Sequence, residues 1–112
     1  MMSPQQVLQL LTEVLAASRL MLADARSDAW PQLIEHDASR QLLITQLMQA
    51  EWPAADWSAG EREHAAELVR QIADDNAEIT RMSTAWHAEL KSILAQARIS
   101  SRVSDMYAGN SG

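Results

Sequence analysis

Residues 61–98 read EREHAAELVRQIADDNAEITRMSTAWHAELKSILAQAR, a stretch that contains neither glycine nor proline. Apolar residues recur in it every three or four positions, which is the spacing of one face of an α-helix. The repeating positions are Ala65, Leu68, Val69, Ile72, Asn76, Ile79, Met82, Trp86, Leu90, Ile93 and Ala97. The pattern predicts a single helix of roughly 38 residues, about 57 Å long at 1.5 Å per residue.

Asn76 is a polar residue that falls on this apolar face. One amide at a seam between helices can fix their register at some cost in stability. We therefore interpret Asn76 as a candidate register residue. The acidic cluster around it, Asp74 to Glu78, is interpreted as a solvated face, since charge runs on helices usually are.

Two shorter helices are predicted before this stretch. Ser3 as N-cap and Gln6 three residues later form a capping box, which opens a first helix that ends near Arg26. The second helix is predicted to begin with Asp28 as its N-cap. That start places Pro31 in the first turn, where proline is tolerated.

The second helix and the linker after it carry several residues of interest. Asp37 and Arg40 lie three residues apart and are expected to pair on the helix surface, worth only a few tenths of a kcal/mol. Trp52 and Trp57 flank a proline in the linker, where they would either pin the loop to the bundle or serve as partner anchors. The predicted inner face of the helix consists of Trp30, Leu33, Ile34, Ile44, Leu47 and Met48.

The end of the chain predicts a short fourth helix over about residues 99–108. Ser100 or Ser101 would cap this helix. One apolar face, with spacing i, i+3, i+4, would then consist of Val103, Met106 and Tyr107. A helix of two turns is too short to be stable alone in water, so we expect this face to lie on another surface.

The composition favours an all-α fold. The 112-residue chain is 47% hydrophobic, and its apolar surplus is leucine, alanine and methionine, which form helices readily. Short connections make neighbouring helices antiparallel. We therefore predict one domain over residues 1–112, an antiparallel helical bundle of three long helices plus the short fourth helix, with residues 109–112 as a flexible tail.

The predicted third helix is longer than its neighbours. Running antiparallel to the second helix, the third helix passes its end after about 22 residues. From near Met82 onward, the third helix is therefore expected to extend beyond the second helix with an exposed apolar face. Such a face is seldom left bare in water. The terminal helix could cover it as a lid worth about 1–3 kcal/mol, which would lower the affinity for a competing ligand roughly five- to hundredfold.

The composition also excludes several classes of function. The formal net charge is −6, with 15 acidic against nine basic residues, and without a basic stripe we expect no direct binding to nucleic acid. The absence of cysteine excludes disulfides, thiolate metal sites and a cysteine nucleophile. Without a long apolar run or a signal peptide, we predict a cytoplasmic protein that does not insert into membranes.

The sequence gives little support for an enzyme. Glu61 and His64 have the spacing of a di-iron ligand pair, but such a bundle needs two of these motifs and further glutamates. His87 and Glu89 resemble half of a deaminase motif whose cysteines are missing. Phosphate-binding loops and nucleophile motifs are also missing. We therefore predict no catalytic, cofactor-binding or metal-binding residues.

Three segments together resemble the FliT family of flagellar type III export chaperones. They are WPQLIEHDASRQLLITQL (30–47), IADDNAEITRMSTAWHAELKSIL (72–94) and SSRVSDMYAG (100–109). The resemblance rests on a Trp-x-x-Leu-Ile opening with a following Arg-x-x-Leu segment, an Asn-x-x-Ile pattern, and a terminal helix that ends near a tyrosine. It extends from about Ser18 to Gly109.

This resemblance implies a cytoplasmic escort for the filament-cap protein (FliD-type). Such chaperones hold the C-terminal helical segment of the cap protein and prevent its premature assembly before export. The family is also associated with the export ATPase, the export-gate protein and a flagellar transcriptional activator. Its terminal helix is thought to occlude the binding surface, and its tyrosine, here Tyr107, to contact the export gate.

We predict that the client is an amphipathic helix laid in a hydrophobic groove. An adaptor bundle of another secretion or regulatory system would use the same groove, and a homodimer that buries the overhang is a further alternative. The terminal helix with Val103, Met106 and Tyr107 would regulate access to the groove. Its candidate residues are Leu33, Ile34, Leu68, Ile72, Ile79, Met82, Trp86 and Leu90.

Overall fold

The computed structural model describes residues 2–50 and 56–110, without the side chains of residues 98–110. Within these residues the chain forms three α-helices and no strand. The helices are α1 (Pro4–Arg26), α2 (Trp30–Met48) and α3 (Ala59–Asn110). The all-α fold predicted from the sequence is confirmed.

The start of α1 has the predicted capping box. The Ser3 hydroxyl oxygen accepts a hydrogen bond from the Gln6 backbone N–H at 3.2 Å, and the Gln6 side chain accepts one from the Ser3 N–H at 2.8 Å. These two bonds satisfy backbone donors that the first turn of a helix leaves without partners. The buried residues of α1 are Val7, Leu10, Leu11, Val14, Ser18, Met21 and Ala25.

The turn between α1 and α2 differs from the prediction. Asp28 is not the N-cap of α2; that position belongs to Ala29, which makes no side-chain capping bond. Asp28 has φ 56°, and the Ala29 N–H donates to the Asp24 carbonyl at 2.8 Å. This is the bonding of a Schellman motif, in which the left-handed residue ends a helix, and aspartate tolerates that conformation. Asp28 therefore ends α1 and does not begin α2.

Polar contacts define how the helices of residues 1–80 are arranged. Ser18 bonds to Arg40 and Asp24 contacts His36, so α1 and α2 run antiparallel. Gln5 bonds to Glu61 at the start of α3, and Arg19 contacts Asp75 fourteen residues further on, so α1 and this part of α3 run parallel. The predicted antiparallel order of successive helices is confirmed here.

An apolar cluster holds this part of the chain together. Trp57, which precedes α3, is buried in the cluster, in agreement with the interpretation of this tryptophan as a pin for the loop. Trp52 lies outside the described residues. The buried members of the cluster are Val7, Leu10, Leu11, Val14, Leu47, Trp57, Ala65 and Leu68.

The buried line of α2 is partly polar. The predicted pair of Asp37 and Arg40 is present at 3.1 Å, but the expectation that Arg40 lies on the surface is wrong, since it is 8% exposed and also bonds to Ser18. Ile34 and Met48, predicted on the inner face, are exposed. The buried residues of α2 are Trp30, Arg40 and Leu47. Arg40 is not predicted among them because apolar periodicity considers only apolar residues.

α3 begins as predicted and continues beyond its predicted end. The hydroxyl of Ser58 accepts from the Glu61 N–H at 3.1 Å, and the Glu61 carboxylate accepts from the Ser58 N–H at 2.8 Å. A separate fourth helix over residues 99–108 is not shown, because α3 continues to Asn110. No glycine or proline occurs between Gly60 and Gly109 to stop it.

The predicted register role of Asn76 is wrong, since its side chain is exposed. The inward positions of α3 here are Leu68, Ile72, Asp75 and Ile79, separated by steps of four, three and four residues. These steps follow the 3.6-residue turn and bring Asp75, not Asn76, to the packed side. Asp75 accepts a hydrogen bond from Arg19 of α1 at 3.3 Å.

Among the described residues, α1 is long and apolar enough to cross a membrane by length and composition alone. Its apolar face, however, packs into the cluster described above. A core helix of a soluble protein passes the same test. Length and composition therefore do not make α1 a membrane span.

Candidate functional site

An apolar stripe lies on α3 within the compact unit of residues 81–112. Three of its members are well exposed, Leu90 at 37%, Ile93 at 55% and Leu94 at 49%. The others are half-buried. We call this surface the α3 stripe, and its members are Met82, Trp86, Leu90, Ile93 and Leu94.

Helical geometry places these residues on one side of α3. Met82, Trp86, Leu90 and Ile93 follow one another in steps of four, four and three residues, so they lie along one line of the helix. Charged side chains, such as those of Glu89 and Lys91, are exposed on the same turns. An apolar surface with polar residues at its edge is the usual form of a protein interaction site.

The aromatic member of the stripe has a ring neighbour. The rings of Trp86 and His87 are 4.9 Å apart between centroids, with an angle of 55° between their planes. Tryptophan is enriched among the residues that dominate binding energy at protein interfaces, because it buries a large area and loses few rotatable bonds. Trp86 is thus suited to be the central contact of the stripe.

The structure divides the predicted groove residues into two groups. Leu68 and Ile79 are buried, at 7% and 5% exposure, and Ile72 is half-buried against the apolar cluster. These residues belong to the packed side of the helix. On α2, Leu33 is half-buried and Ile34 is exposed. Met82, Trp86 and Leu90 form the second group, which lies on the α3 stripe together with Ile93 and Leu94.

The predicted regulatory residues fall at the end of α3. The backbone of residues 99–110 is helical, but the side chains of Val103, Met106 and Tyr107 lie outside the described part of the structure. Their predicted contact with the apolar stripe therefore stays a prediction.

Glu61 and His64 do not form a metal-binding arrangement. The Glu61 carboxylate is engaged in the capping box with Ser58 and also accepts a hydrogen bond from Gln5 at 3.3 Å. The His64 side chain is exposed. No group of three or more histidine, aspartate or glutamate side chains that could hold a metal ion occurs in the described part of the chain.

The exposed side of α3 near its start carries an ion-paired group. Arg70 bonds to both carboxylate oxygens of Glu67, and Gln71 donates to Glu67 at 3.0 Å. These hydrogen bonds, first of all the one from Arg70, lower the pKa of Glu67, and the same contact raises the pKa of Arg70. Because the ion-paired side chains of Arg70 and Glu67 are exposed, we interpret this group as a solvated helix face.

A shallow cleft lies between the beginning of α1 and the end of α2. Its volume is about 370 Å³. Among the described residues, its lining side chains are amides and apolar groups, and none of these is a nucleophile or a group that titrates near neutral pH. The cleft therefore has no chemistry of a catalytic site. The lining residues are Met2, Gln5, Gln6, Gln9, Leu10 and Gln46.

Comparison with known proteins identifies the family. The family model described as "Flagellar protein FliT" matches residues 8–110 of the chain. Neither a curated protein nor a solved structure gives a significant match. The matched range includes the whole of α2, nearly all of α1 and α3, and the α3 stripe. The chain belongs to the FliT family of flagellar export chaperones.

Proposed function

We propose that this protein is a cytoplasmic chaperone that binds the C-terminal helical segment of the flagellar filament-cap protein and prevents its assembly before type III export. Membership of the FliT family, a family of chaperones and not of enzymes, supports the general function. The observation that carries the finer proposal is the exposure of Leu90, Ile93 and Leu94 on one helix.

The stripe matches the dimensions of a helical client. It extends over residues 82–94, about 18 Å at 1.5 Å per residue, which equals more than three helical turns. An amphipathic client helix would place apolar residues at i, i+3, i+4 and i+7 against it. The charged residues at the edge of the stripe would then set the orientation of the client.

The free energy of burying the stripe indicates how much binding free energy the client must contribute. Completing the burial of a half-exposed leucine or isoleucine is worth about 1 kcal/mol, half of the full-burial value. The three exposed members of the stripe therefore supply roughly 3 kcal/mol. Association itself costs about 4–15 kcal/mol. The client must bury a comparable apolar face of its own for stable binding.

The proposal includes the other partners implied by the family. They are the export ATPase and the export-gate protein, to which the loaded chaperone would deliver its client, and a flagellar transcriptional activator that it would sequester. Tyr107 is the proposed contact with the export gate. Because the ATPase and the gate would receive the loaded chaperone, we expect them to bind together with the cap segment. The activator, which would be held in place of the client, should compete with the segment.

Regulation by the terminal residues requires a change in α3. Side chains of one continuous helix cannot fold onto an earlier turn of that helix, so a lid would need α3 to break after about Arg98. If such a lid forms, replacing Val103, Met106 and Tyr107 together by serine should tighten client binding roughly five- to hundredfold. Unchanged affinity would contradict the lid and leave client binding itself in place.

Calorimetric titration of the cap-protein C-terminal segment tests the proposal. The wild type is compared with a double variant, Leu90→Gln with Ile93→Gln, which makes the stripe polar. We expect the affinity to fall roughly 5- to 150-fold, because about 1–3 kcal/mol of apolar burial is lost.

The control is Leu42→Gln, which changes an exposed leucine on α2, 69% exposed against 37% for Leu90 and 55% for Ile93. It should bind the segment as the wild type does, and all variants should keep the same helical circular dichroism. Equal binding by the wild type and the double variant would contradict the assignment of the stripe. If the wild type binds only to itself, seen as a mass that rises with concentration, the homodimer would replace the client.

A further inference from the structure

We infer that the buried hydrogen bond between Arg40 and Ser18 sets the register of α2 along α1. The bond joins the Arg40 guanidinium nitrogen Nη1 to the Ser18 Oγ at 3.1 Å. Ser18 is fully buried and Arg40 nearly so. The contact thus lies inside the interface of the two helices and is its most deeply buried polar pair among the described residues.

Apolar packing alone specifies this register weakly. On α2, the partly buried Leu43 and Ile44 lie four and three residues before the buried Leu47. On α1, the buried residues Val7, Leu11 and Val14 follow one another in steps of four and three residues. If α2 slid by one turn, about 5.4 Å, these side chains would still meet apolar partners. Hydrophobic contact is not directional, so it distinguishes the two registers poorly.

Arg40 strongly favours the observed register over one displaced by a helical turn. On the buried face of α1, the neighbours of Ser18 are Val14, Met21 and Ala25, whose side chains offer no strong hydrogen-bond acceptor. A slide by one turn in either direction would bring the guanidinium against these apolar groups. The guanidinium would keep its bond to Asp37 on the same helix but would lose the bond to Ser18, and a buried donor left without an acceptor is unfavourable.

The pair is not arranged for maximum stability. The second Arg40 nitrogen, Nη2, donates to Asp37 at 3.1 Å, but Nε is buried without a hydrogen-bond partner among the described residues. Buried ion pairs of this kind often add no stability over an apolar replacement, and their best-attested role is to select one register. The incomplete bonding of Arg40 agrees with a specifying role.

The test measures the register in the full-length chain. The protein contains no cysteine, so spin labels on Thr12→Cys and Glu35→Cys report one distance between exposed sites on α1 and α2. These sites are displaced along the helix axes, so a slide of α2 changes their separation. We expect one distance in the otherwise unchanged chain, and in Arg40→Met a second population shifted by about 5 Å.

Two further variants keep the test decisive. Arg26→Met removes an exposed arginine of α1 and should leave the single distance unchanged. Ser18→Ala, the milder change, removes the α1 partner and should also produce the second population. If Arg40→Met and Ser18→Ala both fold and keep the wild-type distance, packing alone sets the register and the inference is overturned. If Arg40→Met does not fold, the distance in Ser18→Ala decides the question.

Discussion

The two stretches of α3, residues 59–80 and 81–97, have the same apolar period and different surroundings. In the first stretch Ala65, Leu68 and Ile79 are buried. In the second, Leu90 and Ile93 remain exposed on a stripe of the same spacing. Apolar periodicity therefore identifies a helix face but does not show whether that face is core or binding surface.

The largest predicted effect is a difference in stability between the two stretches. Leu68→Ala removes buried methyl groups from the apolar cluster and should lower the free energy of unfolding by about 2–5 kcal/mol. Leu90→Ala, on the exposed stretch, should lower it by less than about 1 kcal/mol. Urea unfolding followed by circular dichroism measures both. Equal losses would mean that the second stretch is packed as tightly as the first.

A smaller effect on the free energy of unfolding is expected when the N-cap of α3 is removed. Ser58→Ala removes the cap of the first stretch and should lower the free energy of unfolding by about 1 kcal/mol. Ser92→Ala is the matched change on the second stretch, where the serine is exposed within the helix. It should be neutral or slightly stabilising, because alanine is the better helix former. Thermal melts of both variants check this order, and a destabilising Ser92→Ala would contradict it.

The smallest predicted effect concerns the ion-paired surface of the first stretch. The pKa of Glu67 is lowered in the folded chain, chiefly by Arg70. A lowered pKa stabilises the fold above the unfolded-state pKa, and this contribution is lost as the pH falls through the folded-state value. An NMR titration should therefore show the pKa of the Glu67 carboxyl rising toward its ordinary value in Arg70→Ala.

Added salt should weaken this effect in the wild type, since the pair is exposed. A pKa of Glu67 that does not respond to Arg70→Ala would show that the contact is not maintained in solution.

Much of the fold could be predicted because local signals decide it. The capping boxes at Ser3 and Ser58 involve residues three positions apart, so the sequence contains both partners. The long glycine-free and proline-free stretch predicts α3, although not its full length. The role of Asp28 was missed because the same residue type caps a helix start and tolerates the left-handed end of the preceding helix.

The candidate site could be predicted only in part because tertiary packing decides it. Leu68 and Leu90 are equivalent in any periodicity, and only the folded chain shows which one has neighbours. Arg40 was assigned to the surface because burial of an arginine depends on a distant serine, Ser18, that no local pattern indicates. Asn76 and Asp75 are adjacent in the helix, and a pattern that repeats every three or four residues does not show which of the two faces inward.

Site-specific photo-crosslinking shows whether the second stretch of α3 receives the client. A benzophenone-bearing residue replaces Ile93 in one chain and Val69 in another, so that both probes occupy exposed apolar positions of the same helix. Each chain is irradiated with the C-terminal segment of the cap protein. We predict a strong crosslink from position 93 and little or none from position 69. A crosslink from position 69 with none from position 93 would contradict client binding at the second stretch.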